Sequence, residues 1–270
     1  MNNMLIRAIS GAVFVSVLVI SILYSANSFL GLFFLLMLIS VNEFSKMLKV
    51  KGIEPYFLSV SLFLSAILPI WDYTTFYTDA ISLLIVTFFF IKVLFKKNAK
   101  PLEELGSFML CIAYACVSYL FIVKIPFTTH LSEYNGILIL GVFVLIWSSD
   151  TFAYLTGVTI GKTKLLERIS PKKTVEGFAG GVIATMLISY LISLKFTVLL
   201  THQWIILGVI VSIFGVIGDL IASMFKRQTG VKDSGKIIPG HGGVIDRLDS
   251  IIFAAPFIYL YLKFITENVS

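Results

Sequence analysis

Ser223-Met224-Phe225-Lys226-Arg227-Gln228-Thr229-Gly230-Val231-Lys232-Asp233-Ser234-Gly235-Lys236-Ile237-Ile238-Pro239-Gly240-His241-Gly242-Gly243-Val244-Ile245-Asp246-Arg247-Leu248-Asp249 is the longest polar break in a 270-residue chain that is 58% hydrophobic. Two adjacent cations, Lys226 and Arg227, stand near its start, and two acids, Asp246 and Asp249, stand at its end. Glycines and a proline between them make the middle a loop whose backbone can come close to a ligand. Upstream, Asp219 precedes Ser223 and Lys226 at helical spacing, so the three share one helix face. Acids, cations and backbone N–H groups gathered in one place suit a polyphosphate held with a divalent metal.

The rest of the chain is what makes this break stand out. Charged residues are only 13% of the total and mean hydropathy is +0.97, which excludes an ordinary soluble domain. Apolar runs long enough to cross a bilayer recur throughout. The expected fold is an all-α polytopic membrane protein, read as a single integral-membrane domain over 1–270. Nine spans are expected, at about 5–24, 28–45, 56–71, 80–95, 105–125, 137–160, 178–200, 205–225 and 248–265. Of the 21 Lys and Arg residues, all but Lys124, Lys195 and Lys263 fall on one side of this map. Positive-inside then places the N-terminus in the cytoplasm and the C-terminus outside. The first span, beginning near Arg7, reads as uncleaved, since further spans follow at once.

A net charge of +6 could signal nucleic acid, but the cations sit in short loops between spans. Topology and lipid headgroups account for them, and no nucleic-acid partner is expected. Cys111 and Cys116 lie within one span and read as packing residues. Pro55, Pro101 and Pro171 are expected near helix starts, and Pro256 inside the last span.

Several residues admit two readings. Asp219, about two turns inside span eight, is either a salt-bridge partner or a metal ligand; Asp246 and Asp249 begin span nine at the same depth. Asp249 either adds a ligand or supports Arg247. Lys226, Arg227, Lys232, Lys236 and Arg247 are either anchors at the membrane surface or, as a set, a triphosphate clamp. His241 has no second His or Cys at ligand spacing, so zinc is not expected; a role in positioning phosphate is favoured over general base. In span six, Asp150, Tyr154, Gly157 and Gly161 recur at helical spacing and form a face open to close approach. The following loop, Ser170-Pro171-Lys172-Lys173-Thr174-Val175-Glu176-Gly177, reads as helix-entry chemistry from Ser170, with Lys172 and Lys173 forming an anion site. Glu43 is either an interfacial cap or a residue facing the site.

At Ser223, Lys226-Arg227, Lys232-Asp233, Gly235, His241-Gly242-Gly243, Asp246-Arg247 and Asp249 the chain resembles the phosphatidate cytidylyltransferases, or CDP-diacylglycerol synthases. The Ser170–Gly177 loop resembles a second characteristic segment of that family, with Val175 where the family commonly has Trp. The resemblance implies CTP and phosphatidate as substrates, and CDP-diacylglycerol and pyrophosphate as products. It implies Mg²⁺ at Asp219 and Asp246, K⁺ at the same centre, and a homodimer. On this reading Asp219, Asp246, Lys226, Arg227 and His241 are catalytic. Lys172, Lys173, Ser223, Lys232, Asp233, Lys236, Arg247 and Asp150 bind substrate, and Asp249 joins the metal ligands. A transporter or channel for a phosphorylated solute is the alternative from another class; it lacks a matching pair of interrupted helices. A CDP-alcohol phosphotransferase would need an Asp-Gly-x-x-Ala-Arg motif, which is absent.

Overall fold

The computed structural model describes residues 3–71, 73–96, 100–128 and 133–268. Lys97, one of the cations used to orient the spans, lies outside the described residues. Among the described residues nine helices are long and apolar enough to cross a membrane. They are α1 (Asn3–Tyr24), α2 (Ala26–Met47), α3 (Glu54–Trp71), α4 (Phe76–Leu94) and α5 (Pro101–Phe127). After these come α6 (Gly136–Ile160), α7 (Val175–Ser193), α8 (Thr201–Gln228) and α9 (Ile245–Asn268). The chain is therefore an all-α polytopic membrane protein.

Three features depart from the sequence reading. The seventh helix stops at Ser193, not near 200, because residues 194–200 turn and the next helix starts at Thr201. There the Gln203 side chain accepts the Leu200 N–H at 2.9 Å. The fourth helix starts at Phe76, so Asp79 lies in its first turn and not in a preceding loop. The loop before α7 is a two-stranded antiparallel hairpin, β1 (Lys164–Leu166) with β2 (Ser170–Thr174). Pro171 is thus in a strand, and the N-cap is Thr174, whose Oγ1 accepts the Gly177 N–H at 3.1 Å. Capping chemistry was expected four residues too early. Pro55 and Pro101 do open helices, and Pro256 lies inside α9.

Two compact units make up the chain. The first contains Met1–Ser21, Asn27–Lys124 and Asp233–Arg247. Its centre is α2, where Phe29, Phe33, Met37, Val41 and Phe44 are buried at helical spacing. Facing them, α5 presents Tyr114, Cys116 and Tyr119: the Phe33–Tyr119 and Phe44–Tyr114 ring centroids are 6.4 and 4.9 Å apart. Ser40 Oγ and Tyr119 OH share a 2.6 Å hydrogen bond, so neither buried hydroxyl is orphaned. A π-helical turn at Ala113–Val117 interrupts α5 and inserts extra backbone where these side chains meet α2.

The second unit contains Ile22–Ala26, Ile125–Lys232 and Leu248–Ser270. Its helices approach one another through small residues. Trp204, fully buried, covers Gly141, where a Cβ would stand 2.6 Å from the indole. A Cβ on Gly177 would meet the Ala153 carbonyl at 2.7 Å, and one on Gly181 the Ser149 carbonyl at 2.9 Å. Close packing of this kind is how membrane helices associate without a hydrophobic driving force. Between α8 and α9, Phe214 stacks on Phe257 with centroids 3.7 Å apart. On α7 the exposed stripe Ile183, Leu187 and Leu191 suits hydrocarbon, not water.

Candidate active site

In the second unit, the approach of α8 to α9 sets the position of two acids. Gly218 touches α9 so closely that a Cβ there would lie 2.6 Å from the Asp249 carbonyl and 2.8 Å from Phe253 Cβ. The next residue on α8 is Asp219, and Asp249 is the α9 residue whose backbone carbonyl meets Gly218. Asp219 and Asp150, on α8 and α6, act on Asp249 as like charges, and Lys226 opposes them. Asp219 Oδ2 pairs with Lys173 Nζ at 2.6 Å, and Asp219 Oδ1 accepts from Ser223 Oγ at 3.2 Å. The helix-face reading of Asp219 and Ser223 therefore holds as a contact. The ion-pair partner is a hairpin lysine, not a residue of another spanning helix.

Lys173 reaches Asp219 because the hairpin is tied to the start of α7. Glu176, in the first turn of that helix, accepts the Lys162 N–H at 3.0 Å and the Thr163 N–H at 3.1 Å. Its neighbour Lys172 is exposed on β2. Asp150, Arg227 and Lys232 are also exposed. Tyr154 is exposed too, whereas Gly157 packs against Thr174 and Gly177.

In the first unit the polar loop folds on a type II turn. Pro239 and Gly240 occupy its centre, Gly240 has φ +74°, and the His241 N–H closes it on the Ile238 carbonyl at 2.9 Å. The Ile238 N–H in turn donates to the Gly242 carbonyl at 2.9 Å. Asp246 Oδ2 accepts from the Ser234 N–H at 2.7 Å and the Gly243 N–H at 3.0 Å, and Ser234 Oγ stands 3.0 Å from it. Asp233, Lys236 and Arg247 are exposed around this loop.

Glu43 is the residue on which the sequence offered no decision, and it proves central here. It is buried on α2 and accepts hydrogen bonds from the Val244 N–H (3.0 Å) and the Ile245 N–H (3.1 Å), and it shares with Asp246 the single hydrogen of Ser234 Oγ, which stands 3.0 Å from both carboxylates. It therefore caps α9 from another helix, satisfying N–H groups that have no intrahelical partner. Gly235 and Gly243 press on its carboxylate, where a side chain at either would collide with it. A carboxylate near the end of an apolar span was the available signal; its partners lay some 190 residues away and left no trace in local pattern.

His241 packs over Gly11 of α1, its Cε1 standing 3.1 Å from where a Cβ would be. Its Nδ1 is 2.9 Å from Ser10 Oγ. Burial, with Arg247 and Arg7 adding positive charge, holds its pKa below the usual histidine range. No pattern in the sequence pointed to Ser10.

Among the described residues no three His, Cys, Asp or Glu side chains converge as a ready-made metal cage. The acid cluster nonetheless has the right chemistry for Mg²⁺: hard carboxylate oxygens from Asp219 and Asp249, and three acids against two lysines. Mg²⁺ commonly takes one or two carboxylates and completes its shell with water and substrate phosphate.

The sequence model of the cytidylyltransferase family matches residues 5–265. The phosphatidate cytidylyltransferase of Bacillus subtilis (strain 168) is 32% identical over 269 residues, covering 97% of this chain and 98% of that protein. The enzyme of the same name from Staphylococcus aureus (strain COL) is 40% identical over 169 residues, 62% of each chain. That of Staphylococcus haemolyticus (strain JCSC1435) is 38% identical over the same length and share. The chain belongs to the cytidylyltransferase family.

Proposed function

We propose that this protein transfers the cytidylyl group of CTP to phosphatidate, releasing pyrophosphate and leaving CDP-diacylglycerol in the membrane. The observation that carries the reading is the cluster of Asp150, Lys173, Asp219, Ser223, Lys226 and Asp249 on spanning helices and their hairpin. Mutually repelling carboxylates in a membrane protein are costly and mark function by default. One substrate is amphipathic and the other soluble, which matches a polar site built into apolar helices.

The lipid phosphate oxygen attacks the α-phosphorus of CTP, and the bond to pyrophosphate breaks with its electrons leaving on that group. Little covalent work falls to the protein, so positioning and charge neutralisation dominate. Lys226, Arg227 and Lys232 offer cations for phosphate oxygens, as do Lys172 and Lys173 of the hairpin. Lys236 and Arg247 of the loop complete the set. Lys173 is already paired with Asp219 and exchanges that partner for substrate phosphate. Ser223 holds Asp219 in orientation. Asp219, Asp246 and Asp249 are the proposed Mg²⁺ ligands, and the ion would neutralise phosphate charge there. K⁺ and a homodimer stay on resemblance alone. The cation distribution supports a cytoplasmic N-terminus, an external C-terminus and a cytoplasm-facing site in the cell membrane.

The test is purified protein in mixed micelles with phosphatidate, Mg²⁺ and radiolabelled CTP. A lipid-soluble cytidine product, absent when ATP replaces CTP, is the expected result. Equal turnover of all nucleoside triphosphates would leave nucleotidyl transfer standing but remove the cytidylyl assignment. Reporter fusions after Lys51, Lys100, Lys173 and Lys236 should all read cytoplasmic.

A further inference from the structure

The contact between α1 and the polar loop carries more information than packing. Ser10 Oγ lies 2.7 Å from the Pro239 carbonyl oxygen, 3.2 Å from the Arg7 carbonyl and 2.9 Å from His241 Nδ1. A hydroxyl has one hydrogen to give. The carbonyl cannot donate, so at 2.7 Å that hydrogen must point at Pro239; otherwise two acceptors would face each other unbridged. Ser10 Oγ is then an acceptor toward the ring, and Nδ1 must carry the ring proton. The chain of donors runs from His241 Nδ1–H to Ser10 Oγ–H to the Pro239 carbonyl. It closes on the turn that presents His241, since the His241 N–H itself donates to Ile238.

We infer that Ser10, on the first spanning helix, is a positioning residue that fixes the tautomer and ring orientation of His241, so that the histidine presents a bare Nε2 acceptor. The assignment rests on the proposed cytidylyl transfer only for what Nε2 meets. A lone pair there matches a substrate group that still carries a proton, such as the P–O–H of a singly ionised phosphate monoester. Arg7 on α1 and Arg247 on α9 act on this ring as positive charges. Both disfavour the imidazolium and keep the ring in the neutral form in which tautomer matters. Asp233 and Asp246 flank the adjacent Gly242. Gly11 gives the imidazole its room, and the Arg7 side chain packs over Gly240. The first helix thus acts as a template for the loop as well as a membrane anchor.

The chain has three histidines, His130, His202 and His241, which makes the ring states separable by ¹⁵N NMR. Full-length protein in detergent, labelled at histidine and assigned with His241→Asn, should show His241 protonated at Nδ1 and bare at Nε2. Ser10→Ala should lose that preference, shifting the ring toward Nε2–H, while Ser10→Thr keeps the hydroxyl and the wild-type spectrum. In the assay above, Ser10→Ala should lower kcat/KM by about tenfold, the rate equivalent of one hydrogen bond, and Ser10→Thr should restore most of it. His241→Gln, which can place an acceptor near the Nε2 position, should retain more activity than His241→Asn. An Nε2–H tautomer in the wild-type protein, or an unchanged spectrum in Ser10→Ala, would overturn the assignment. The spectra are read without substrate, so a tautomer as expected with no cytidylyl transfer would count against the function alone.

Discussion

Glu43 and Asp246 accept hydrogen bonds from neutral donors of the polar loop, and Asp219 and Asp249 stand close to other charged side chains. The first pair accepts backbone N–H groups and a serine hydroxyl in the polar loop. The second stands beside another acid, Asp150, with Lys173 and Lys226 as the opposing charges. Glu43, wrapped in N–H groups, has a structural role: its charge is spread over donors that folding would otherwise leave unpaired. Neighbouring carboxylates repel, Lys173 and Lys226 offset part of that repulsion, and a bound metal ion would offset more of it. The resemblance groups Asp246 with Asp219 as a metal ligand, so Asp246 is where the contrast is most open to challenge.

The largest expected effect is on the charged side. Asp219→Asn keeps shape and removes charge, so kcat should fall by about 100-fold or more, some 3 kcal/mol of transition-state stabilisation. Thermal stability should change little, because a partly exposed ion pair is worth roughly 0–1 kcal/mol. Asp249→Asn should cost less activity. Both quantities are to be measured on the same detergent-purified variants. A destabilised Asp219→Asn protein of near-normal turnover would make Asp219 structural and erase the distinction.

Glu43 should behave the other way. Truncation to Ala leaves the Val244 and Ile245 N–H groups without their acceptor, at about 1–3 kcal/mol for each group that stays buried, while the Ser234 hydroxyl can still turn to Asp246. We expect a clear drop in Tm, with Glu43→Gln in between, since its amide oxygen can still accept. If Glu43→Gln kept wild-type Tm but lost turnover by orders of magnitude, Glu43 would belong with the catalytic acids.

A smaller effect follows at Gly243, where Ala would push its Cβ into Ser234 Oγ and the Glu43 carboxylate. A loss of about 1–3 kcal/mol is expected, the usual cost of overpacking. Gly230→Ala is the control for backbone strain: φ is +73° there, but no neighbour stands close. Gly243 is not at positive φ, so a Gly243→Ala protein as stable as wild type would mean that the Glu43 contact contributes nothing.

The smallest effect is on pH. His241 has its pKa lowered in the folded state, from a usual value of about 6.5. The unfolded chain therefore binds a proton more readily. The contribution is absent above that usual value, and stability declines as pH falls below it toward the folded pKa. His241→Gln should flatten the acid side of a Tm-against-pH curve. An acid limb unchanged in that variant would assign the sensitivity to other groups.

Nine spans, the broken apolar pattern and the polar signature were legible in the chain itself, because helix length and hydropathy are local properties that a bilayer enforces. Asp219 with Ser223 was legible for the same reason: four residues on a helix are neighbours wherever the helix goes. The hairpin at Lys164–Thr174 was not. Its Ser-Pro sequence carries helix-entry chemistry, and only pairing with β1 makes it a strand. Nor was the division of labour among the acids, since a carboxylate's role depends on what surrounds it. Glu43 meets Ser234 across 191 residues, and Ser10 reaches His241 across 231. Sequence determined which residues could ionise and how deep along each helix they lie; tertiary structure alone decided which of them face hydrogen-bond donors and which face charge.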